Sequence, residues 1–237
     1  MNQINFIGGE KGGVGKSVMA RLLAQYYIDR NIDFNGYDTD LSHGAMMRYY
    51  RDFSEAIDLS RYESADSIIE KTITSGNHAI VDLAAQTTKP LSRWLGDAGL
   101  IELSGEMGFS INLWHVMDDG SDTLMLLQNL LTNYGDKPDY IVVRNFGRGQ
   151  NFSHFDHSET AEKAQQSGAK IIDLPALHAP TMQKIDHISA SFWAAANNTD
   201  SEIGPTLGLL ERQRVRTWLN KTYHQLDQVF ADTRTTA

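Results

Sequence analysis

The chain has 237 residues, a formal net charge of −9 and no cysteine. Because this length suits one well-buried core and is short for two domains and a linker, we expect a single domain over residues 1–237. The lack of cysteine excludes disulfides, thiolate metal sites and iron–sulfur clusters, and the negative charge argues against a globally basic surface for nucleic acids.

The overall composition is typical of a globular protein, with 41% hydrophobic and 22% charged residues. No apolar stretch approaches the length of a membrane-spanning helix. The residues after Met1 contain neither a basic region nor a cleavage site, so a secretory signal is not expected. These features predict a cytoplasmic protein without an integral membrane segment.

The first predicted element is a short apolar strand, residues 4–7, that leads into a glycine-rich loop. Residues 8–17 read Gly-Gly-Glu-Lys-Gly-Gly-Val-Gly-Lys-Ser. Successive glycines let backbone N–H groups converge on phosphate oxygens, and the helix that follows adds the positive end of its dipole. In such a loop Lys16 contacts the β- and γ-phosphates, and the Ser17 hydroxyl binds Mg²⁺. The predicted nucleotide-binding residues here are Gly12, Gly13, Val14, Gly15, Lys16, Ser17 and Val18.

A second lysine stands inside this loop. The general pattern G-x-x-x-x-G-K-[ST] has glycine where this chain has Glu10, and Lys11 follows it. The segment Lys11-Gly-Gly-Val-Gly-Lys16-Ser17 resembles the deviant Walker A motif of the ParA/MinD family of ATPases. The resemblance implies an ATP-dependent homodimer in which Lys11 reaches the ATP of the partner subunit.

Composition narrows the resemblance. Nitrogenase iron proteins, iron–sulfur carrier ATPases and arsenite-pump ATPases share the deviant loop, but their functions depend on cysteines that this chain lacks. Bacterial tyrosine kinases are disfavoured because only Tyr223 lies near the end of the chain. The tail at 229–237 does not have the pattern of the amphipathic membrane helix that ends MinD-like proteins. The resemblance therefore favours the small ATPases that partition, stabilise or mobilise plasmids.

Two acids follow the next strand of the chain. Apolar residues at helical spacing predict a helix from about residue 16 to Arg30, and an apolar segment at 32–38 then ends in Asp38-Thr39-Asp40. Strand, loop, helix and strand form a βαβ unit with a parallel sheet, whose ligand lies at the carboxyl ends of the strands. Period-two alternation points Asp38 and Asp40 to the same face.

The resemblance implies different roles for these two acids. Asp38 would belong to the metal shell, and Asp40 would position the attacking water. The Pro-Gln pair that often follows in the family is replaced by Leu41-Ser42. Either acid could instead cap the next helix, which is a common role for aspartate.

A third acid closes the apolar segment at 78–82, which predicts a strand. Asp82 looks like the Walker B acid, which holds a water bound to Mg²⁺. The residues that follow, 83–88, depart from the family's usual sequence, and Gln86 is a candidate contact to the γ-phosphate region.

The remainder of the chain alternates between strand and helix patterns. Further strands are predicted at 111–117, 140–143 and 170–174, and helices at 64–75, 88–97, 121–133, 158–167, 181–195 and 205–228. This alternation is typical of a doubly wound α/β domain, in which helices flank a mainly parallel sheet in three α/β/α layers.

Two segments are candidates for base recognition. Asn145 ends the strand near 140–144 and resembles the family's asparagine that hydrogen-bonds adenine, since an amide both donates and accepts. Pro175 lies in the segment 174–177, which resembles the loop that packs against the base. Asn145 could equally be a turn residue, because Phe146-Gly147-Arg148-Gly149 follows it.

The last predicted helix carries a cluster of basic residues. This cluster is a candidate patch for non-specific DNA, although a run of charge more often marks a solvated helix face. Its members are Arg212, Arg214, Arg216 and Lys221.

These residues supply the parts needed for phosphoryl transfer to water, with ATP and Mg²⁺ as cofactors. The predicted catalytic residues are Lys11, Lys16 and Asp40, and the predicted metal-binding residues are Ser17, Asp38 and Asp82. The implied function is a slow ATPase that positions or partitions cargo, such as plasmid DNA or a protein complex, through an activating partner protein.

Two alternatives remain open. One is a P-loop ligase or kinase of the dethiobiotin-synthetase type, which would need a substrate pocket and would not need Lys11. The other is a nucleotide-binding adaptor that does not hydrolyse ATP.

Overall fold

A parallel sheet forms the centre of the computed structural model, which describes residues 1–200 and 205–231. Its seven strands lie in the order β3-β2-β4-β1-β5-β6-β7, and every neighbouring pair is parallel. The strands are β1 (Asn2–Gly8), β2 (Phe34–Asp38), β3 (Ser54–Ala56), β4 (His78–Asp82), β5 (Phe109–Met117), β6 (Asp139–Asn145) and β7 (Lys170–Leu174).

Helices cover both faces of the sheet, and each face has its own apolar core. Burial on both faces explains the continuous apolar runs in β4 and β6. The helices are α1 (Lys16–Asp29), α2 (Ala45–Tyr49), α3 (Tyr62–Ser75), α4 (Thr88–Asp97), α5 (Leu100–Met107), α6 (Ser121–Tyr134), α7 (Ser153–Asp156), α8 (Glu159–Gln166), α9 (Ala179–His187), α10 (Phe192–Asn197) and α11 (Leu209–Phe230). The predicted three-layer α/β/α fold is confirmed.

A buried polar network joins the central strands to α1. The Asn5 Oδ1 accepts hydrogen bonds from Asn112 Nδ2 (2.9 Å) and Trp114 Nε1 (3.0 Å), and its Nδ2 donates to the Tyr27 hydroxyl (3.2 Å). These bonds join β1 to β5 and to α1 inside the core, although the buried Asn112 Oδ1 has no hydrogen-bond partner.

The helix predicted at 181–195 is wrong as one element, because the structure divides it into α9 and α10. Ser189 adopts a φ of 52° between them, a left-handed conformation that interrupts a helix. The Ser191 hydroxyl then accepts a hydrogen bond from the Ala194 N–H and caps α10. The pattern also missed α2, α5, α7 and the short edge strand β3.

The C-terminal region differs in its bounds from the prediction of 205–228, since α11 begins at Leu209 and extends to Phe230. Residues 201–204 and 232–237 lie outside the described residues, so the prediction that the tail at 229–237 is not an amphipathic membrane helix falls largely outside them. The assignment of all 237 residues to one domain stays a prediction. In the part of the chain that the structure describes, no helix combines the length and apolarity needed to cross a bilayer.

Candidate nucleotide-binding site

The glycine-rich loop joins β1 to α1 and is packed tightly against the ends of β5 and β6. Gly9 has a φ of 133°, and a Cβ there would lie 2.6 Å from the Val116 carbonyl oxygen. Gly15 has a φ of 103°, and a Cβ there would lie 2.2 Å from Asn145 Nδ2. Only glycine fits both the backbone conformation and the space at these positions.

The first turn of α1 points its N–H groups into this loop. Among the described residues, no side chain caps the helix at Gly15, and its first turn has no acidic residue. The N–H groups and the positive end of the helix dipole are therefore available to an anion such as phosphate.

Lys16 begins α1 and is folded back over the loop. Its side chain is buried, and its Nζ donates a hydrogen bond to the Lys11 carbonyl oxygen (3.1 Å). Burial lowers the pKa of the Lys16 ammonium, while the nearby Asp82 carboxylate partly opposes this effect. The ammonium is thus held at the loop, where the sequence predicts that phosphate binds.

Asp82 ends β4 as a carboxyl group that is only 3% exposed. Burial raises its pKa to about 7, and the neighbouring Asp38 carboxylate adds to the rise, whereas Ser17 and Lys16 oppose it. Its Oδ1 is buried and has no hydrogen-bond partner. Such an uncompensated acceptor is costly in isolation and fits a site that is completed by a cation.

Asp38 and Asp82 are direct partners in the pairing of β2 with β4. Carboxylate and hydroxyl oxygens, like those of Asp38, Asp82 and Ser17, are the ligands that Mg²⁺ prefers, and the binding of Mg²⁺ by these three side chains stays a prediction. Within the described ranges, no group of three or more His, Cys, Asp or Glu side chains is placed to hold a metal. A Mg²⁺ ion would therefore take most of its ligands from phosphate and water, as Mg²⁺ usually does.

Asp38 also caps a helix, as the alternative interpretation of its sequence position allowed. Its Oδ2 accepts a hydrogen bond from the Met46 N–H (2.8 Å) in the first turn of α2, and its Oδ1 accepts from the Asp40 N–H (3.0 Å). A Cβ at Gly44 would lie 2.5 Å from Asp38 Oδ2, so glycine is required there. Burial raises the pKa of Asp38. The metal-shell role of Asp38 stays a prediction.

Asp40 shapes the loop that follows β2. Its Oδ1 accepts hydrogen bonds from the N–H groups of Ser42 and His43, each at 3.0 Å. These bonds form a local turn of the kind that aspartate favours. They also orient the carboxylate at the same edge of the sheet as the loop, and its role in positioning water stays a prediction.

Thr39 is a structural link that the sequence analysis missed. Its hydroxyl donates to the Asp82 carbonyl oxygen (3.0 Å) and accepts from the Ala84 N–H (2.7 Å). The side chain is buried between the segments that follow β2 and β4. Its position between Asp38 and Asp40 was the only sequence feature that could have predicted this role.

Gln86 lies in the segment between Asp82 and α4. Its side chain is exposed and its φ is 74°, a conformation that is uncommon for a residue other than glycine. Its contact with a γ-phosphate stays a prediction.

Lys11 is held by an acid of its own subunit. Its Nζ lies 2.9 Å from Asp118 Oδ2, and this hydrogen bond raises the pKa of Lys11. Asp118 Oδ1 accepts from the Gly120 N–H and the Thr123 hydroxyl, each at 3.1 Å. Asp118 was not predicted from the sequence, although its position just after β5 places it at the edge where β1 ends.

Asn145 anchors the glycine-rich loop to β6. Its Nδ2 donates to the Val14 carbonyl oxygen (2.7 Å), and its Oδ1 accepts from the Gly147 N–H (2.9 Å). The amide therefore acts within the chain as both a loop anchor and a turn residue.

A cavity of about 190 Å³ lies beside this anchor. Asn145 and Pro175, which were predicted to contact the base, both line it, together with Val18 of the predicted nucleotide-binding loop. The Trp218 Nε1 donates to the Pro175 carbonyl oxygen (2.7 Å) and ties this wall to α11. The contacts of Asn145 and Pro175 with adenine stay predictions.

We expect Asn145→Ala to loosen the loop, because it leaves the Val14 carbonyl and the Gly147 N–H without their partner. An unsatisfied buried group costs about 1–3 kcal/mol, and each kcal/mol lowers the Tm of a chain of this size by about 2–4 °C. Thermal unfolding measured with and without ATP checks this. The exposed Asn129→Ala is the matched control, and an equal Tm and equal ATP affinity for the two variants would contradict the anchoring role.

The basic residues of α11 separate into different environments. Arg214 and Lys221 line a groove of about 300 Å³ together with His178. Arg216 is exposed outside this groove, whereas Arg212 donates to the Leu207 carbonyl oxygen. The structure thus brings together only part of the predicted DNA-binding patch.

The fold and the glycine-rich loop together have the three-layer α/β/α architecture of the P-loop class of nucleotide-binding proteins. The structure resembles the MinD cell division protein of Aquifex aeolicus with a TM-score of 0.50 and 12% identity, over 94% of this chain and 96% of that chain. A nucleotide-binding protein of Archaeoglobus fulgidus, solved in complex with ADP, has a TM-score of 0.48 and 14% identity, over 76% of this chain and 84% of that one. The resemblance to the ParA/MinD class is confirmed at the level of the fold.

Two relatives are similar in sequence. Protein TraL of Escherichia coli is 25% identical over 96% of this chain and 98% of its own length. Protein MobD of Acidithiobacillus ferrooxidans is 26% identical over 73% of this chain and 77% of its own length. No family model matches the chain.

Proposed function

We propose that this protein is a dimerising switch ATPase, which hydrolyses ATP to ADP and phosphate and positions cargo such as plasmid DNA or a protein complex. The observation that carries the proposal is the position of Lys11, whose ammonium lies outside the loop and is a third exposed, while Lys16 alone is buried at the loop. One subunit thus has one lysine buried at the loop and a second, partly exposed lysine that could contact the phosphates bound by a partner subunit. The similarity to TraL and MobD supports the plasmid-associated part of the proposal.

In the proposed hydrolysis of ATP, each group of residues has a separate role. The loop N–H groups and Lys16 stabilise negative charge on the phosphates, Asp40 orients the attacking water, and Lys11 adds a cation to the site of the second subunit. Ser17, Asp38 and Asp82 would hold Mg²⁺, directly or through water. When bound, Mg²⁺ neutralises charge that develops on the phosphate oxygens.

Light scattering of the purified chain with Mg²⁺ and either ATP or ADP tests this proposal, together with a measurement of phosphate release. A dimer with ATP, a monomer with ADP and slow phosphate release are expected. A monomer in both nucleotides would contradict the switch. Dimerisation with no phosphate release in the presence of a cognate partner would instead favour the non-hydrolysing adaptor.

We expect Asp40→Ala to lower the turnover of ATP by about 10²-fold, because general base or water-positioning groups typically contribute 10²–10⁴-fold. The ATP-dependent dimer should persist. Asp40→Asn is the matched variant, since its amide oxygen can still accept from the N–H groups of Ser42 and His43 but cannot take a proton. Normal turnover of Asp40→Asn would show that Asp40 only shapes the loop.

A ligase or kinase of the dethiobiotin-synthetase type is a second candidate, favoured by one observation. A cavity of about 440 Å³ lies between α4 and α6 beside Gly9 and Glu10, with the Ser92 and Tyr134 hydroxyls on its wall. A cavity of this size can enclose a small substrate. Steady ADP formation without any acceptor would count against this candidate.

The partners stay proposals as well. We propose an ATP-dependent homodimer, an activating partner protein and contact with non-specific DNA through the basic groove of α11. Arg214 and Lys221 are its best-placed cations, because they face the same space. Phosphate contacts of this kind would weaken steeply as salt concentration rises.

A further inference from the structure

An aromatic groove lies away from the nucleotide site, between α1, the turn that follows α2 and the start of α10. It encloses about 510 Å³ and opens to solvent. Trp193 is 54% exposed and Phe53 is 46% exposed at its walls. The Phe53 ring stacks on Phe34 with centroids 5.6 Å apart. We call this feature the Trp193 groove.

The walls of the Trp193 groove are fixed before any ligand binds. The Gln25 Oε1 accepts hydrogen bonds from the Tyr50 hydroxyl (3.0 Å) and the Trp193 N–H (2.9 Å), and thereby joins α1 to both walls. The Tyr50 hydroxyl also accepts from the Phe192 N–H (3.2 Å). A preformed groove binds a ligand without first ordering its own side chains, which favours affinity.

The charged residues of the groove favour a cation. Asp29 and Asp52 line it against a single guanidinium, that of Arg51. Asp29 accepts hydrogen bonds from two neutral groups, Gln25 Nε2 (2.9 Å) and the Tyr223 hydroxyl (2.7 Å), and neither is a cation that could pair with the carboxylate. The exposed face of the Trp193 indole is also a favourable site for an ammonium or guanidinium group.

These charges decide between two ligands that bind aromatic surfaces. Bases of single-stranded nucleic acid stack on such rings, but their phosphates require positive charge along the groove. A peptide with prolines or other apolar side chains beside a lysine or arginine matches both the rings and the carboxylates. We propose that the Trp193 groove docks a basic, apolar-rich peptide segment of a partner protein.

The groove is joined to the nucleotide site through α2. This helix begins at the N–H groups that Asp38 caps, and its last residue, Tyr49, lines the groove. A peptide in the groove therefore contacts the element that the candidate metal-shell acid holds. An effect of the peptide on ATP turnover rests on the proposed function, whereas the docking itself does not.

The test is selection from a random library of 12-residue peptides displayed on phage, with the full chain immobilised and no nucleotide present. Enriched peptides are expected to carry net positive charge together with proline or other apolar residues. A synthetic copy of the most enriched peptide should bind Trp193→Ala and Asp52→Lys at least tenfold more weakly, as expected for loss of an interface hot spot. Met125→Ala, which removes an exposed apolar side chain of α6, is the control that should bind normally.

Several results would overturn the docking proposal. They are the absence of enrichment, enrichment of acidic peptides, or equal binding of the peptide to all the variants. Binding of a 20-nucleotide single-stranded oligothymidylate that Trp193→Ala abolishes would assign the groove to nucleic acid instead.

ATP turnover measured with the peptide separates the two claims. A peptide that binds through Trp193 but leaves phosphate release unchanged would overturn the link to α2. Failure of the wild-type chain to hydrolyse ATP at all would contradict the proposed function and leave the docking result standing.

Discussion

Lys11→Ala is expected to abolish ATP-dependent dimerisation while the monomer still binds ATP. Neither apolar core includes this side chain, and its contact with Asp118 is a partly exposed ion pair, which contributes little to folding. The loop amides and Lys16 remain in place for the phosphates. Because a cation supplied in trans typically contributes 10³–10⁵-fold to phosphoryl transfer, turnover should fall by about 10³-fold.

Light scattering with ATP, equilibrium binding of a fluorescent ATP analogue and phosphate release give the three measurements. Asp118→Asn is the matched control, because its amide oxygen can still accept from the Gly120 N–H and the Thr123 hydroxyl while the carboxylate facing Lys11 is lost. This variant should dimerise at least as well as the wild type. If both variants fail to dimerise, the ion pair itself organises the site and the trans role of Lys11 is wrong.

Asp82→Asn is expected to have opposite effects on the free protein and on the complex with nucleotide. The folded-state pKa of Asp82 is raised from 3.8 to about 7. The ionised form is thus unfavourable by about 4 kcal/mol in the fold, and this penalty grows as pH rises from about 4 to 7. Asparagine removes the buried charge. Without nucleotide, the variant should therefore have a higher Tm than the wild type at pH 8 and an equal Tm at pH 4.

The same substitution removes a candidate oxygen ligand of Mg²⁺. The wild-type chain should gain Tm on addition of ATP with Mg²⁺ beyond the gain with ATP and EDTA, and Asp82→Asn should lose that difference. Thermal unfolding across pH, with the exposed Asp136→Asn as control, gives both results. A variant that melts lower at pH 8 and keeps the full Mg²⁺ effect would contradict this account of Asp82.

The sequence predicted the centre of the fold because the local signals there are strong. The glycine-rich loop between strand and helix placed α1, and the acids at the ends of two apolar runs placed Asp38 and Asp82 on one edge of a parallel sheet. Their direct pairing across β2 and β4 follows from that topology.

The elements that were missed depend on distant contacts. The helix α2 has five residues, too few for an intrinsic helical signal, and its first turn is capped by Asp38 from eight positions earlier. The break between α9 and α10 occurs at Ser189, and serine is not a residue type that predicts a left-handed conformation. Such features are decided by tertiary packing and not by local pattern.

In the candidate site, too, local spacing predicted some residues, whereas their contacts depend on parts of the chain that are distant in sequence. Spacing within one segment identified Lys11, Lys16 and Ser17, but the partner of Lys11 lies on a different strand end, and its identity depends on the pairing of β1 with β5. Asn145 was identified as a polar residue at the right edge, yet its hydrogen bond to Val14 could not be inferred from sequence, because it spans 131 positions.

The ion pair between Lys11 and Asp118 also gives each subunit an internal competitor for its own lysine. Under the proposed trans role, both subunits must release Lys11 from Asp118, so the apparent association constant equals the intrinsic one multiplied by the square of the fraction of subunits in which Lys11 is released. Because an ion pair that is partly open to solvent weakens as ionic strength rises, salt would increase this fraction even as it screens attraction elsewhere. The dimerisation constant is therefore set in part by a contact that does not exist in the dimer.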